Sequence, residues 1–191
     1  MTPLRILAIS GSLRAQSSNT VLLRAAAELA PATMRVDLFS GLDALPHFNP
    51  DIDGPKATPA VRRLRTSIDR ADALLICSPE YAHGVPGSLK NALDWLVSGI
   101  EIVEKPVGVL NASPRSTHAH ASLAETLRTM AAVVVDGASR TVPLSGRDLD
   151  VATILARAEW VDEVQMALDA LARAADQHRR DRRARSTIRR D

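Results

Sequence analysis

Two loops in this chain gather residues able to do chemistry. The first is Ser10-Gly11-Ser12-Leu13-Arg14-Ala15-Gln16-Ser17-Ser18-Asn19-Thr20, which sets hydroxyls, an amide and a guanidinium directly after the apolar run Leu4 to Ile9. Leu22, Ala25, Ala26 and Leu29 then mark the apolar face of a helix. Groups in that position either cap the free N–H groups of the first helical turn or leave them to an anion. Arg14 brings positive charge, and a hydrogen bond to a charged group is worth about 1–3 kcal/mol. A capped helix start beside a solvated arginine accounts for the segment equally well. Neither G-x-G-x-x-G nor G-x-x-x-x-G-K-[ST] occurs here. The loop therefore suits a terminal monophosphate better than the pyrophosphate of a dinucleotide.

The second loop runs from Ser78 through Pro79, Glu80, Tyr81, Ala82, His83, Gly84, Val85 and Pro86 to Gly87, and then enters a helix striped by Leu89, Leu93 and Leu96. Pro86 presets φ for a first helical turn, and Gly87 admits a close neighbour. Ahead of it, Ala73 to Cys77 is a continuous apolar run of strand length, as expected for a strand covered on both faces. The loop therefore leaves a strand's carboxyl end, where it can meet a flat ligand such as a flavin.

Five apolar runs, Leu4 to Ile9, Met34 to Leu38, Ala73 to Cys77, Val107 to Leu110 and Ala132 to Val135, alternate with helical patterns near 18–30, 57–70, 86–97, 118–130 and 150–178. The alternation predicts an α/β fold, a five-stranded parallel sheet with helices on both faces. The last helix is expected as one element, with Val151, Ile154, Leu155, Ala158, Val161, Leu168, Leu171 and Ala175 on its buried stripe. A third loop, Asn111 to Ser116, leaves the fourth strand on the same edge, with Ser113 and Arg115 as its candidate ligand groups.

These motifs resemble the NADPH-dependent FMN reductase family, flavodoxin-like reductases of quinones, azo dyes and metal ions. The family's G-S-x-R-x-x-S-x-N is met by Gly11, Ser12, Arg14, Ser17 and Asn19. Its P-E-Y-N-x-S-x-P-G-x-L-K-N-A-x-D-W-L is met by Pro79, Glu80, Tyr81, Pro86, Gly87, Leu89 to Ala92 and Asp94 to Leu96. Leu45 to Asp53 also resembles the family's segment after the second strand. Ala82 and Gly84 depart from the pattern's asparagine and serine, so only backbone can contact a ligand from those two places.

The resemblance implies a flavodoxin-like three-layer sandwich with strand order 2-1-3-4-5, FMN as cofactor, and NADPH or NADH as co-substrate. It implies that Ser12, Arg14, Ser17 and Asn19 hold the FMN phosphate, and that Pro79, Glu80 and Tyr81, with Ala82, His83 and Gly84 in the same loop, border the ring. Glu80 is expected to shape its loop rather than act as a general acid. The function expected is an NAD(P)H oxidoreductase that passes a hydride through flavin N5 to a quinone, azo compound, free flavin or oxidised metal ion. No side chain is expected to be catalytic, because the cofactor carries the hard step. The rival reading is a flavodoxin-type electron carrier, disfavoured by 3% aromatic content and a near-neutral body. Loss of the flavin, with Ala82 and Gly84 as first marks, is a third reading.

Composition bounds the rest. With 191 residues, 46% of them hydrophobic, the chain suits one well-buried domain, placed at 1–178. Residues 179–191 hold seven arginines against two aspartates, a +5 tail on a chain of net +2, and are expected to be a solvated, mobile extension. The tail lacks aromatics to stack on bases, which argues against nucleic acid. No apolar run approaches the roughly 18 residues of a membrane span, no leader-like start is visible, and a cytoplasmic protein is expected. Cys77, the sole cysteine, reads as a small apolar strand residue. His118 and His120, two apart at a helix start, point apart, and no metal site is expected. No G-x-S-x-G elbow supports hydrolysis. The resemblance implies a homodimer or homotetramer with Trp95 at the contact, although core packing serves a tryptophan there as well.

Overall fold

The structure, a computed structural model, describes residues 2–145 and 149–188. Five strands form one parallel sheet in the order β2-β1-β3-β4-β5. They are β1 (Leu4–Ser10), β2 (Met34–Leu38), β3 (Ala73–Cys77), β4 (Pro106–Leu110) and β5 (Val133–Val134). Every residue of β3 and β4 is buried, which is why those strands read as unbroken apolar runs. The fifth strand keeps only two of the four residues expected, pairing Pro106 with Val133 and Val107 with Val134.

Alternation along β1 feeds two cores. Ile6 and Ala8 face a layer made by α1 (Ser18–Leu29), α5 (Val151–Leu155) and α6 (Ala158–Ile188), where Leu22, Leu23, Trp160, Val164 and Leu171 are buried. Leu7 and Ile9 face α2 (Pro59–Arg70), α3 (Gly87–Asp94) and α4 (Thr117–Thr129), with Leu64, Ile68, Leu89, Leu93 and Leu123. Each fully buried leucine or isoleucine contributes about 1.5–3 kcal/mol of transfer free energy, so the sandwich is held from both sides of the sheet. Thr58 caps α2 by accepting from the N–H of Val61 at 3.4 Å, and Pro59 occupies the first helical position.

Three expectations are corrected. The single helix over 150–178 is two helices, because Asp150 caps a short α5 that ends at Leu155, and α6 begins at Ala158. Trp160 is buried, whereas Ala158 is exposed and Val161 only half-buried; the restart rotates the face that the expected stripe had placed inward. Trp95 is fully buried within the chain, so it forms no surface contact. Its Nε1 donates to the Pro46 carbonyl at 2.8 Å, and its ring meets the Phe48 ring edge-on at 5.1 Å.

The basic tail is the third. Helix α6 continues past 178 to Ile188 and docks on the amino-terminal edge of the sheet. Arg179 pairs with the Asp72 carboxylate and donates to the Thr2 and Pro3 carbonyls at 2.9 Å; Arg182 and Arg185 reach Asp69 and Glu104. Burial alone would raise the pKa of Asp72, but the Arg179 guanidinium and the Arg5 N–H hold it below its usual value. Lys105 lies beneath this clamp, 2% exposed, donating to the Ala71 carbonyl at 2.7 Å, and burial lowers its pKa to about 8. Arg189 and Arg190 lie outside the described residues.

Candidate functional site

Three loops leave the carboxyl ends of β1, β3 and β4, which are neighbours in the sheet. The chain passes from β1 to β2 on one side and from β3 to β4 on the other, so the β1/β3 boundary is the point where the winding reverses. Open parallel sheets bind ligands in the crevice at that point. Gly11 joins the first two loops: its N–H donates to the Cys77 carbonyl at 2.8 Å, and a Cβ on it would stand 2.6 Å from Ser78 Oγ. A side chain there would press on the Ser78 and Leu89 side chains, which would have to shift.

In the first loop, Ser17 is the N-cap of α1, buried, with its Oγ accepting from the Thr20 N–H at a long 3.5 Å. Ser12 is also buried, and its Oγ accepts from the Arg14 N–H at 3.3 Å. Arg14 is exposed, and its guanidinium is in no ion pair among the described residues. The first N–H groups of α1 have no partner inside the helix. Ser12, Arg14, Thr20 and Arg24, together with Asp43, line a hollow of about 220 Å³ beside the start of α1, and Ser17 lines an adjoining one of about 640 Å³ that shares Arg14 and Arg24. Asn19 is different: it is buried on α1, and its Oδ1 accepts the Cys77 S–H at 3.2 Å. That bond engages Oδ1 and leaves the Nδ2 donor uncommitted among the described residues. Cys77 itself is fully buried, and burial pushes its thiol up to about 12, which leaves it unreactive.

The second loop is a tight reversal. Tyr81 and Gly84 exchange backbone hydrogen bonds at 3.1 and 2.9 Å, with Ala82 at φ 49° and His83 at φ 60° between them. Positive φ at both central residues makes a type I′ turn, which usually takes Asn-Gly. The departure at Ala82 therefore removes a residue tolerant of the left-handed region and leaves one that resists it. Tyr81 is 52% exposed at the base of the turn, and Pro79 is half-buried behind it.

Glu80 fixes this loop to the third. Its Oε2 accepts the Ala119 N–H at 2.8 Å, in the first turn of α4, and its Oε1 meets His83 Nδ1 at 3.0 Å. The N-cap residue of α4, Ser116, makes no side-chain cap bond, so Glu80 takes over that work from another loop. The Ala119 N–H, then the His83 hydrogen bond, hold the Glu80 carboxyl below its usual pKa. That is the loop-shaping role expected of it. His118, at the second position of α4, lies edge-on to His83, with ring centroids 4.4 Å apart and planes at 72°. His120 is half-buried, and burial lowers its pKa.

The third loop is organised by a residue the sequence reading missed. Asn111, buried at the end of β4, accepts the Ser113 N–H on Oδ1 at 3.1 Å and donates from Nδ2 to the Ser116 carbonyl at 3.2 Å. An asparagine directly after an apolar strand was the available signal. Ser113 Oγ accepts the Arg115 N–H at 3.3 Å, and the exposed Arg115 guanidinium, like that of Arg14, is in no ion pair among the described residues. The structure thus brings Ser12, Arg14 and Ser17 together at one loop, and Glu80, His83 and His118 at the junction of the other two.

Comparison with known proteins agrees with this architecture. An NAD(P)H-dependent FMN reductase of Pseudomonas aeruginosa is 40% identical over 112 residues, 58% of this chain and 60% of that protein. A quinone reductase of Escherichia coli is 38% identical over 94 residues, 49% of this chain and 50% of the relative. The chain therefore matches about half to three-fifths of the length of these curated relatives. Among solved structures, the flavoenzyme FerB, an NAD(P)H:(acceptor) oxidoreductase of Paracoccus denitrificans, superposes with a TM-score of 0.69 at 27% identity, covering 92% of this chain and 98% of that one. The sequence pattern of the NADPH-dependent FMN reductases matches residues 4–145, a stretch that holds all five strands and all three loops. On that match, the chain belongs to the NADPH-dependent FMN reductase family.

Proposed function

We propose that this protein is an FMN-dependent NAD(P)H oxidoreductase that reduces a small oxidant: a quinone, azo compound, free flavin or oxidised metal ion. The observation that carries the reading is the cationic helix start at the β1/β3 boundary, where Arg14, in no ion pair among the described residues, stands in the same loop as two buried serines. The donor set fits a phosphate monoester: one guanidinium, the hydroxyls of Ser12 and Ser17, and the free N–H groups of α1. Asn19 takes part in this reading through its Nδ2 donor and its backbone N–H in the first helical turn, its Oδ1 being engaged by Cys77.

In this reading, bound FMN supplies a ring that takes a hydride at N5 from the reduced nicotinamide and passes it on. The chain's own residues bind and orient. Pro79, Glu80, Tyr81, Ala82, His83 and Gly84 border the ring, Ala82 and Gly84 with backbone groups only, and the half-exposed Tyr81 offers an aromatic edge to a flat substrate. Ser113 and Arg115 close the site from the third loop, held there by Asn111. Glu80 keeps the second and third loops in register.

Self-association belongs to the same proposal. Val97, Ile100 and Val103 stand 65%, 84% and 40% exposed in the segment after α3, an apolar surface suited to a second copy of the chain. Among the described residues no helix is long and apolar enough to cross a membrane. A cytoplasmic site of action is part of the reading, since a free thiol and a nicotinamide reductant both suit a reducing compartment. The test is FMN titration followed by fluorescence quenching, with NADPH oxidation then assayed against benzoquinone. Saturable binding and quinone-dependent turnover support the proposal; binding without turnover leaves an electron carrier, and no binding at all refutes it.

A further inference from the structure

We infer that His83 is a catalytic proton donor to the acceptor being reduced, held in place by Glu80 and His118 as positioning residues. The inference rests on the reductase reading above and adds a residue to it. Two-electron reduction of a quinone adds a hydride and one proton, and yields the hydroquinone. The proposed activity supplies the hydride; the proton must come from a group at the acceptor's oxygen. As the electron pair of the carbonyl becomes an oxygen lone pair, the Nε2–H bond of imidazolium breaks and an O–H bond forms. Neutral imidazole remains and takes its proton back from water.

The geometry assigns this work to His83 on three counts. Its backbone is held at φ 60° beside Ala82 at φ 49°, the left-handed pair at the centre of a tight reversal that presents the ring at the loop tip. The turn is closed by the paired Tyr81 and Gly84 backbones, and beside it stands Glu80, whose side chain is 10% exposed and locked by the Ala119 N–H at 2.8 Å. Its second oxygen holds His83 Nδ1 at 3.0 Å. A carboxylate there accepts Nδ1–H, which leaves Nε2 as the atom that gives and regains a proton. On its other side the ring meets His118, 4.4 Å away, yet the His83 side chain is 76% exposed at the tip of the middle loop. An imidazole that is fixed on two sides and open on a third is placed to meet a transient substrate.

The experiment compares an acceptor that needs a proton with one that does not, using the full chain saturated with FMN. Benzoquinone takes a proton; ferricyanide takes electrons alone. His83→Asn keeps a residue that tolerates the left-handed turn, so the loop stays folded. The ratio of the benzoquinone rate to the ferricyanide rate is expected to fall by about tenfold or more in this variant, and by less in Glu80→Gln. In flavin-free protein, ¹⁵N NMR should find neutral His83 protonated at Nδ1, a preference that Glu80→Gln abolishes. An unchanged rate ratio, or an Nε2-protonated ring in the parent protein, overturns the inference while leaving the reductase reading intact. A parent protein that reduces neither acceptor overturns both.

Discussion

The carboxylate of Glu80 accepts the backbone N–H of Ala119 at 2.8 Å, so one loop of the sheet edge caps the helix that follows another. Two of the three candidate ligand loops are therefore tied together. Glu80→Ala is expected to lower the midpoint of urea unfolding and to weaken FMN binding together. The pH dependence has a definite sign. The folded carboxyl titrates below its ordinary value of 4.5, so its contribution is complete above that pH and is lost as pH falls through the lower folded value. The difference between parent and variant should accordingly shrink in acid.

Ala82 occupies a position that its residue type resists. Ala82→Asn should stabilise the protein by about 0.5–1 kcal/mol, since asparagine enters the left-handed region more easily than alanine. Equilibrium urea unfolding would register this as a higher midpoint at constant slope. A lower midpoint would mean that the turn is relaxed around alanine and that the positive φ carries no cost.

Arg14 is the cation on which phosphate capture depends. Arg14→Ala should weaken FMN affinity by about 1–3 kcal/mol, roughly fivefold to 150-fold, with little effect on riboflavin, which lacks the phosphate. Isothermal titration with the two flavins separates the cases. An equal loss for both would assign Arg14 to the ring or to the fold.

Arg179 lies at the opposite end of the sheet from the three loops. Arg179→Ala leaves Asp72 partly buried without its partner and should cost about 2 kcal/mol of stability by urea unfolding. FMN content at saturation should not change, because the clamp touches none of the loops. Loss of flavin at full folding would instead link the helical tail to the site.

Most of the scaffold was legible because it is written in period and run length. The fully buried β3 and β4 announce themselves as apolar runs, and Leu89 and Leu93 repeat at helical spacing. The errors fall where a single local bond overrides the pattern. Asp150 caps a short helix and forces a restart, which brings Trp160 inward in place of Val161. In the tail, Arg179, Arg182 and Arg185 read as solvated charge because their counter-charges, Asp72, Asp69 and Glu104, are distant in sequence. The site divides in the same way. Ser12, Arg14, Ser17 and Asn19 were visible as a motif, but the bond from Cys77 to Asn19 Oδ1 and the work of Asn111 appear only once the loops are folded. Local sequence showed which groups are present; long-range hydrogen bonds decided which of them remain free.

Anaerobic addition of NADPH to the FMN-saturated protein, followed at the oxidised flavin absorbance band, tests the central claim most directly. The account predicts rapid bleaching and full return of the yellow colour on adding benzoquinone. Colour that persists under excess NADPH and NADH, in protein that holds FMN, would contradict it.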